Sequence, residues 1–135
     1  MVNMSLRFEF SAAHRLHSAT LSDAENIDIF GRCNNPNGHG HNYEIEVTIA
    51  GEPESKTGAY LGVTALQQIV NTHIIEPFDH KHLNLDCAEF RTLNPTVENI
   101  AMVLFQRLKG HIPGPAKLAS LRVWETPKTM CEYSE

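Results

Sequence analysis

The chain has 135 residues, 41% of them apolar and 20% charged, the proportions of one water-facing domain spanning residues 1–135. A net charge of −5 excludes the broadly basic surface of a general nucleic-acid binder, although a local anion pocket stays compatible with it. No apolar run approaches the roughly 20 residues that cross a bilayer. Met1–Ser5 has no basic stretch leading into an apolar one, so a cytoplasmic location with reduced thiols is expected for Cys33, Cys87 and Cys131.

In chain order, Leu6-Arg7-Phe8-Glu9-Phe10 alternates with period two and predicts a first strand. Ser22-Asp23-Ala24-Glu25 has the form of a capping box, opening a short helix that Gly31 closes. A long second strand places Tyr43, Ile45, Val47 and Ile49 on one face and Glu44, Glu46 and Thr48 on the other. Gly51 to Gly58 reads as a loop. Leu66, Ile69, Val70 and Ile74 repeat at helical spacing until Pro77 ends the pattern. Gly62 gives that helix no capping side chain, and Thr64 is the candidate replacement. A further helix starts at Thr96 as N-cap, turns Ile100, Val103, Leu104 and Leu108 inward, and stops at Gly110. Two strands close the chain, one through Leu121, Val123 and Glu125 and one through Cys131 to Tyr133. The order β, β, α, α, β, β predicts an α+β fold, a four-stranded antiparallel sheet with two helices on one face. The edges of such a sheet invite assembly.

His39-Gly40-His41 precedes the second strand, where residues i and i+2 point the same way and two imidazoles can reach one ion. Two solvated histidines in a turn are the plain alternative. His14, just after the first strand, is the candidate third ligand, and three histidines describe an open catalytic zinc site. Cys33 is either a fourth, structural ligand or a base whose thiol pKa is lowered near the cation; otherwise it is a small buried hydrophobe, as are Cys87 and Cys131. Asp79-His80 follows Pro77 in a loop, and a carboxylate beside an imidazole suits proton transfer. Glu125 ends an otherwise apolar strand face; buried there it needs a partner, and an amidine-like N–H pair on a pterin or guanine edge is one. His73 and His111 sit in or after helices; His17 and His82 are either supports behind the metal ligands or, as expected here, surface residues. Arg15, Lys81 and Lys128 are candidate anion contacts.

Five motifs carry a resemblance over Phe8 to Tyr133. They are Phe10-Ser11-Ala12-Ala13-His14, Cys33-Asn34-Asn35-Pro36-Asn37-Gly38-His39-Gly40-His41-Asn42-Tyr43, Asp79-His80-Lys81, Pro95-Thr96-Val97-Glu98-Asn99 and Trp124-Glu125-Thr126. With them the chain resembles the 6-pyruvoyl-tetrahydropterin synthase family. The resemblance implies the tunnelling fold (T-fold), whose sheets join into a barrel of subunits, a hexamer with active sites at the interfaces. It implies zinc on His14, His39 and His41, proton transfer by Cys33, Asp79 and His80, and a pterin held by Glu125 with Thr96 and Glu98 nearby. It implies a lyase acting on 7,8-dihydroneopterin triphosphate, with no nucleic acid or membrane partner and no nicotinamide or flavin. A same-fold relative, 6-carboxytetrahydropterin synthase, releases acetaldehyde as well; it usually has three residues between the cysteine and His-Gly-His, where this chain has five. A non-catalytic zinc or pterin-binding module is the third reading, disfavoured by the presence of Cys33, Asp79, His80 and Glu125 together.

Overall fold

A computed structural model describes residues 1–135. Its frame is a pair of thirteen-residue strands, β1 (Val2–His14) and β2 (His39–Gly51), paired antiparallel from Val2↔Gly51 to His14↔His39. β4 (Lys117–Thr126) lies antiparallel on the other side of β2, and β5 (Thr129–Tyr133) antiparallel beyond β4.

The sheet has a fifth strand that the sequence pattern does not predict. β3 (Lys81–His82) adds to the free side of β1 in parallel, so the order is β3-β1-β2-β4-β5 and the sheet is mixed rather than four-stranded and antiparallel. Two residues are too few to show a period. What places them is the preceding loop: Asp79 Oδ1 accepts from Ser11 N–H at 2.9 Å, and His80 N–H donates to the Ser11 carbonyl at 2.6 Å. Both backbone groups of Ser11 are thereby satisfied, and His80 adopts φ 60°, a left-handed conformation uncommon outside glycine.

The inward face of the sheet carries Phe10 and Ala12 from β1, Tyr43, Ile45, Val47 and Ile49 from β2, and Leu121 and Val123 from β4. Two helical segments cover it. α2 (Val63–Val70) contributes Leu66 and Val70, and α3 (Val97–Lys109) contributes Ile100, Leu104, Phe105 and Leu108. α1 (Asp23–Phe30) belongs to the excursion between β1 and β2; its Ser22/Glu25 capping box and Gly31 terminus form as the sequence predicts. Thr96 caps α3 by accepting from Asn99 N–H at 3.2 Å.

Pro77 does not end the helical path. After α2 the chain makes one π turn, Asn71–Ile75, in which Glu76 N–H reaches back to the Asn71 carbonyl. The widened turn lets Pro77, which has no N–H to contribute, stand inside a last turn, Glu76–Phe78, closed by Asp79 N–H on the Ile75 carbonyl at 2.8 Å. Phe78 thus reaches the core and Asp79 reaches Ser11. Nor does Thr64 rescue the α2 cap: Gly62 is the N-cap residue and no side chain caps that end.

The opposite sheet face is polar. Arg7 pairs with Glu44 and Glu46 and lies 4.6 Å from the Trp124 ring centre, and Arg122 pairs with Glu46 and Glu132. Leu66 is fully buried beneath the sheet. Leu66→Ala is expected to cost about 2–5 kcal/mol, read as a lower denaturation midpoint with an unchanged denaturant slope.

Candidate metal centre

At the β1/β2 terminus the apolar face becomes polar without changing side. His14 follows Phe10 and Ala12 in the same alternation, and His39 and His41 precede Tyr43. His14 is opposite His39, and Glu125, one residue beyond the last paired positions on β4, lies beside them. The three imidazoles converge: His39 Nε2 is 3.2 Å from both His14 Nε2 and His41 Nε2. Cys33 joins them, so that four ligand atoms lie within 4.8 Å of one another.

The chemistry of this set fits a metal ion. His14 is fully buried, and its Nδ1 lies 2.9 Å from the Pro95 carbonyl. That carbonyl requires Nδ1 to carry the proton, which leaves the Nε2 lone pair directed at the other histidines, the arrangement in which a second contact orients a metal ligand. Burial holds the His14 imidazole down at about 4, against a weaker opposing effect of the Pro95 bond. His39 and His41 are lowered too, chiefly by burial. All three are therefore neutral and able to donate at pH 7. Glu125 Oε1 is buried with no hydrogen bond, 3.4 Å from His14 Nε2 and 3.6 Å from His41 Nε2. Burial raises its pKa, His39 opposes that, and Glu98 adds to it. A cation among the histidines would satisfy this carboxylate.

Cys33 departs from expectation in one respect. Burial, then the Glu125 charge, push its thiol above the ordinary range rather than below it, because the neighbouring imidazoles are neutral. A cation held at the histidines would oppose both effects.

The position of Cys33 depends on features that the sequence reading overlooked. Beyond His14, the segment Arg15–Ser18 has few ladder partners, and asparagine amides supply them. Asn84 accepts from Arg15 N–H at 2.8 Å and donates to the Arg15 carbonyl at 2.9 Å. Leu16 N–H donates to the Cys33 carbonyl at 2.7 Å, and Asn34 Nδ2 donates to the Leu16 carbonyl at 2.7 Å. Asn94 accepts from His17 N–H, and the buried Asn26 takes both backbone groups of Ser18. Cys33 is thereby tied to the strand that carries His14. Asparagines scattered between 26 and 94 show no period, so the signal available was only their abundance beside Pro36 and Gly38.

Asp79 and His80 form a pair, Asp79 Oδ2 to His80 Nδ1 at 3.0 Å, with His80 81% exposed. The Ser11 N–H, then His80, hold the Asp79 carboxyl below its usual range. The pair docks on Ser11, which faces away from His14, and no hydrogen bond or ion pair joins it to Cys33 or the histidines of the same chain. Thr96 caps α3, and Glu98 on the first turn of that helix accepts a long contact from Cys131 Sγ at 3.8 Å. Cys87 is buried as expected; Cys131 is only half-buried, because β5 is an edge strand.

The family described as 6-pyruvoyl tetrahydropterin synthase matches residues 3–135. A 6-pyruvoyl tetrahydrobiopterin synthase of Drosophila melanogaster is 41% identical over 130 residues, 96% of this chain and 77% of that protein. The solved structure of the Caenorhabditis elegans 6-pyruvoyl tetrahydropterin synthase superposes with a TM-score of 0.92 at 40% identity, covering 99% of this chain and 95% of that one. A 6-carboxy-5,6,7,8-tetrahydropterin synthase of Haemophilus influenzae is more distant, 30% identical with both chains covered in full.

The lowered histidines give the metal-free protein a defined acid response. A folded pKa below the unfolded 6.5 means that the unfolded chain binds more protons, so stability falls as pH drops from 6.5 toward 4. His14 alone accounts for about 3 kcal/mol of this. Denaturation midpoints of metal-free protein between pH 7 and 4 are expected to show that slope, and His14→Gln to flatten it.

Proposed function

The chain belongs to the 6-pyruvoyl tetrahydropterin synthase family, and we propose that it is the enzyme that converts 7,8-dihydroneopterin triphosphate to 6-pyruvoyl-tetrahydropterin with loss of triphosphate. The observation that carries this reading is the convergence of His14, His39, His41 and Cys33 at one end of the core face, with the unpartnered Glu125 oxygen beside them. The greater similarity to pyruvoyl-type relatives favours this product over the 6-carboxy pterin.

In this reading His14, His39 and His41 hold zinc, the ion best matched to a histidine set with an open position. The ion would polarise the side-chain hydroxyls of the pterin, easing removal of the adjacent C–H protons. Cys33 Sγ takes a proton, and it remains a base rather than a fourth ligand. Asp79 holds His80 Nδ1, so that the other ring nitrogen exchanges protons with the substrate. Glu125 accepts from the N–H pair of the pterin ring, with Thr96 and Glu98 at its rim.

Because Asp79 and His80 dock on the outward side of β1, they act on the site of a neighbouring copy. Free strand edges support such assembly: β1 pairs with β3 only at Ala12 and Ala13, and β5 has no outer neighbour. The expected assembly is a hexameric barrel of subunits.

Zinc-loaded protein incubated with 7,8-dihydroneopterin triphosphate is expected to yield triphosphate and the 6-pyruvoyl pterin by mass spectrometry. Acetaldehyde with a 6-carboxy pterin would reassign the product, and unchanged substrate would remove the enzymatic reading. Cys33→Ala is expected to lose about 10²–10⁴-fold in turnover while bound zinc stays at the parent level. Cys33→Ala and His80→Ala protein, dissociated and reassembled together, should recover part of the activity that neither has alone. No recovery would count against a shared site.

A further inference from the structure

Tyr43 stands where the apolar face of β2 gives way to the histidines, and its two parts serve different neighbours. The ring is fully buried, opposite Phe10 in the register and stacked on it, with centres 5.2 Å apart and planes 16° from parallel. His41 and His14 meet it edge-on, at 5.6 Å and 69° and at 6.2 Å and 87°. Phenylalanine would fill that place in the core equally well, so the hydroxyl calls for a separate reason.

The oxygen lies 3.3 Å from His14 Nδ1, and that ring nitrogen is its one hydrogen-bond partner in the protein. Nδ1 also faces the Pro95 carbonyl at 2.9 Å. A carbonyl has no proton to give, so Nδ1 carries the hydrogen and shares it between two acceptors, Pro95 closer and Tyr43 farther. The phenolic hydrogen then turns away from Nδ1 and finds no acceptor, although the group is shut off from water. Such an orphaned donor opposes folding. Burial, then the Glu125 and Cys33 charges, push the phenol far above its ordinary range, so the oxygen acts as a neutral dipole.

What the hydroxyl supplies is direction. His14 is wholly buried, and its ring lies nearly parallel to that of His39, with 12° between the planes. Two oxygens fixed on different elements, one just before α3 and one on β2, hold the Nδ1 edge of the ring. Nε2 is left facing His39 Nε2 at 3.2 Å. A cation drawing on the Nε2 lone pair would make the Nδ1 hydrogen a stronger donor, so both acceptors would gain with it bound.

We infer that Tyr43 is a positioning residue, whose hydroxyl orients His14 toward the metal position while its ring, anchored on Phe10, carries the rigidity of the core to that ligand. The metal rests on the function proposed above; the hold on His14 does not. Tyr43→Phe keeps the stack and removes only the oxygen. Zinc affinity, measured by competition with a chromophoric chelator, is expected to fall about tenfold. The metal-free variant should melt no lower than the parent, because the orphaned donor has gone as well. In the metal-free proteins the His14 Nδ1 hydrogen, followed by proton–nitrogen NMR, should exchange with solvent several-fold faster in the variant. Equal zinc affinity in parent and variant overturns the inference. So does a weaker affinity accompanied by a lower metal-free melting temperature, which would place the effect in the core. If the parent binds no zinc, the metal reading falls instead; faster exchange in the variant then keeps the hold on His14, and unchanged exchange removes it.

Discussion

Everything at the candidate metal centre depends on the antiparallel register of β1 and β2. Thirteen consecutive pairs run from Val2↔Gly51 to His14↔His39, and the alternation that buries Phe10, Tyr43 and Ile45 is the one that turns His14, His39 and His41 toward one another. A slip of one residue would send every side chain of a strand to the other face. The hydrophobic core thus enforces the geometry of the histidines: the slip would also expose Ile45, Val47 and Ile49, each of which is fully buried. Neither α2 nor α3 supplies a member of the histidine and cysteine cluster, yet their packing fixes the register. α3 adds the Pro95 carbonyl just before its N-cap, which selects the tautomer of His14.

Two other groups singled out by the sequence are placed by irregular routes. Cys33 is held through the asparagine-laced segment Arg15–Ser18, where side-chain amides replace the missing strand partner. Asp79 and His80 arrive through the π turn and the left-handed backbone of His80, then bind both backbone groups of Ser11. In each case the residue sits outside the long strands and helices, but its segment is fastened to β1. One strand therefore carries His14 of the histidine cluster on its inner side and anchors the Asp79–His80 pair on its outer side.

The sequence disclosed much of this, unevenly. The alternation through Tyr43 to Ile49, the capping box at Ser22 and the Thr96 cap are local signals, and each element formed where they stand. His-Gly-His at a strand start, with His14 two strands' ends away, was also readable, because period two decides which side chains share a face. β3 was not, since its two residues exist as a strand only by binding β1. Nor was the continuation past Pro77, where a proline argues for a break and only the wider π turn accommodates it. The asparagine contacts stayed hidden because a side-chain amide reports no preference for a distant backbone. The upward direction of the Cys33 shift follows from burial and then the Glu125 charge, which residue identity does not reveal.

The inner face of the sheet changes character at Tyr43, whose hydroxyl lies 3.3 Å from His14 Nδ1 while its ring stacks on Phe10. On one side of it are aliphatic residues that can be exchanged for others of similar volume; on the other are polar groups held by hydrogen bonds and close mutual contact. Selection can therefore adjust the two ends at different speeds. A lineage moving to a warmer habitat has Val47, Ile49, Leu121 and their helical neighbours to repack, whereas drift beyond Tyr43 is constrained by chemistry.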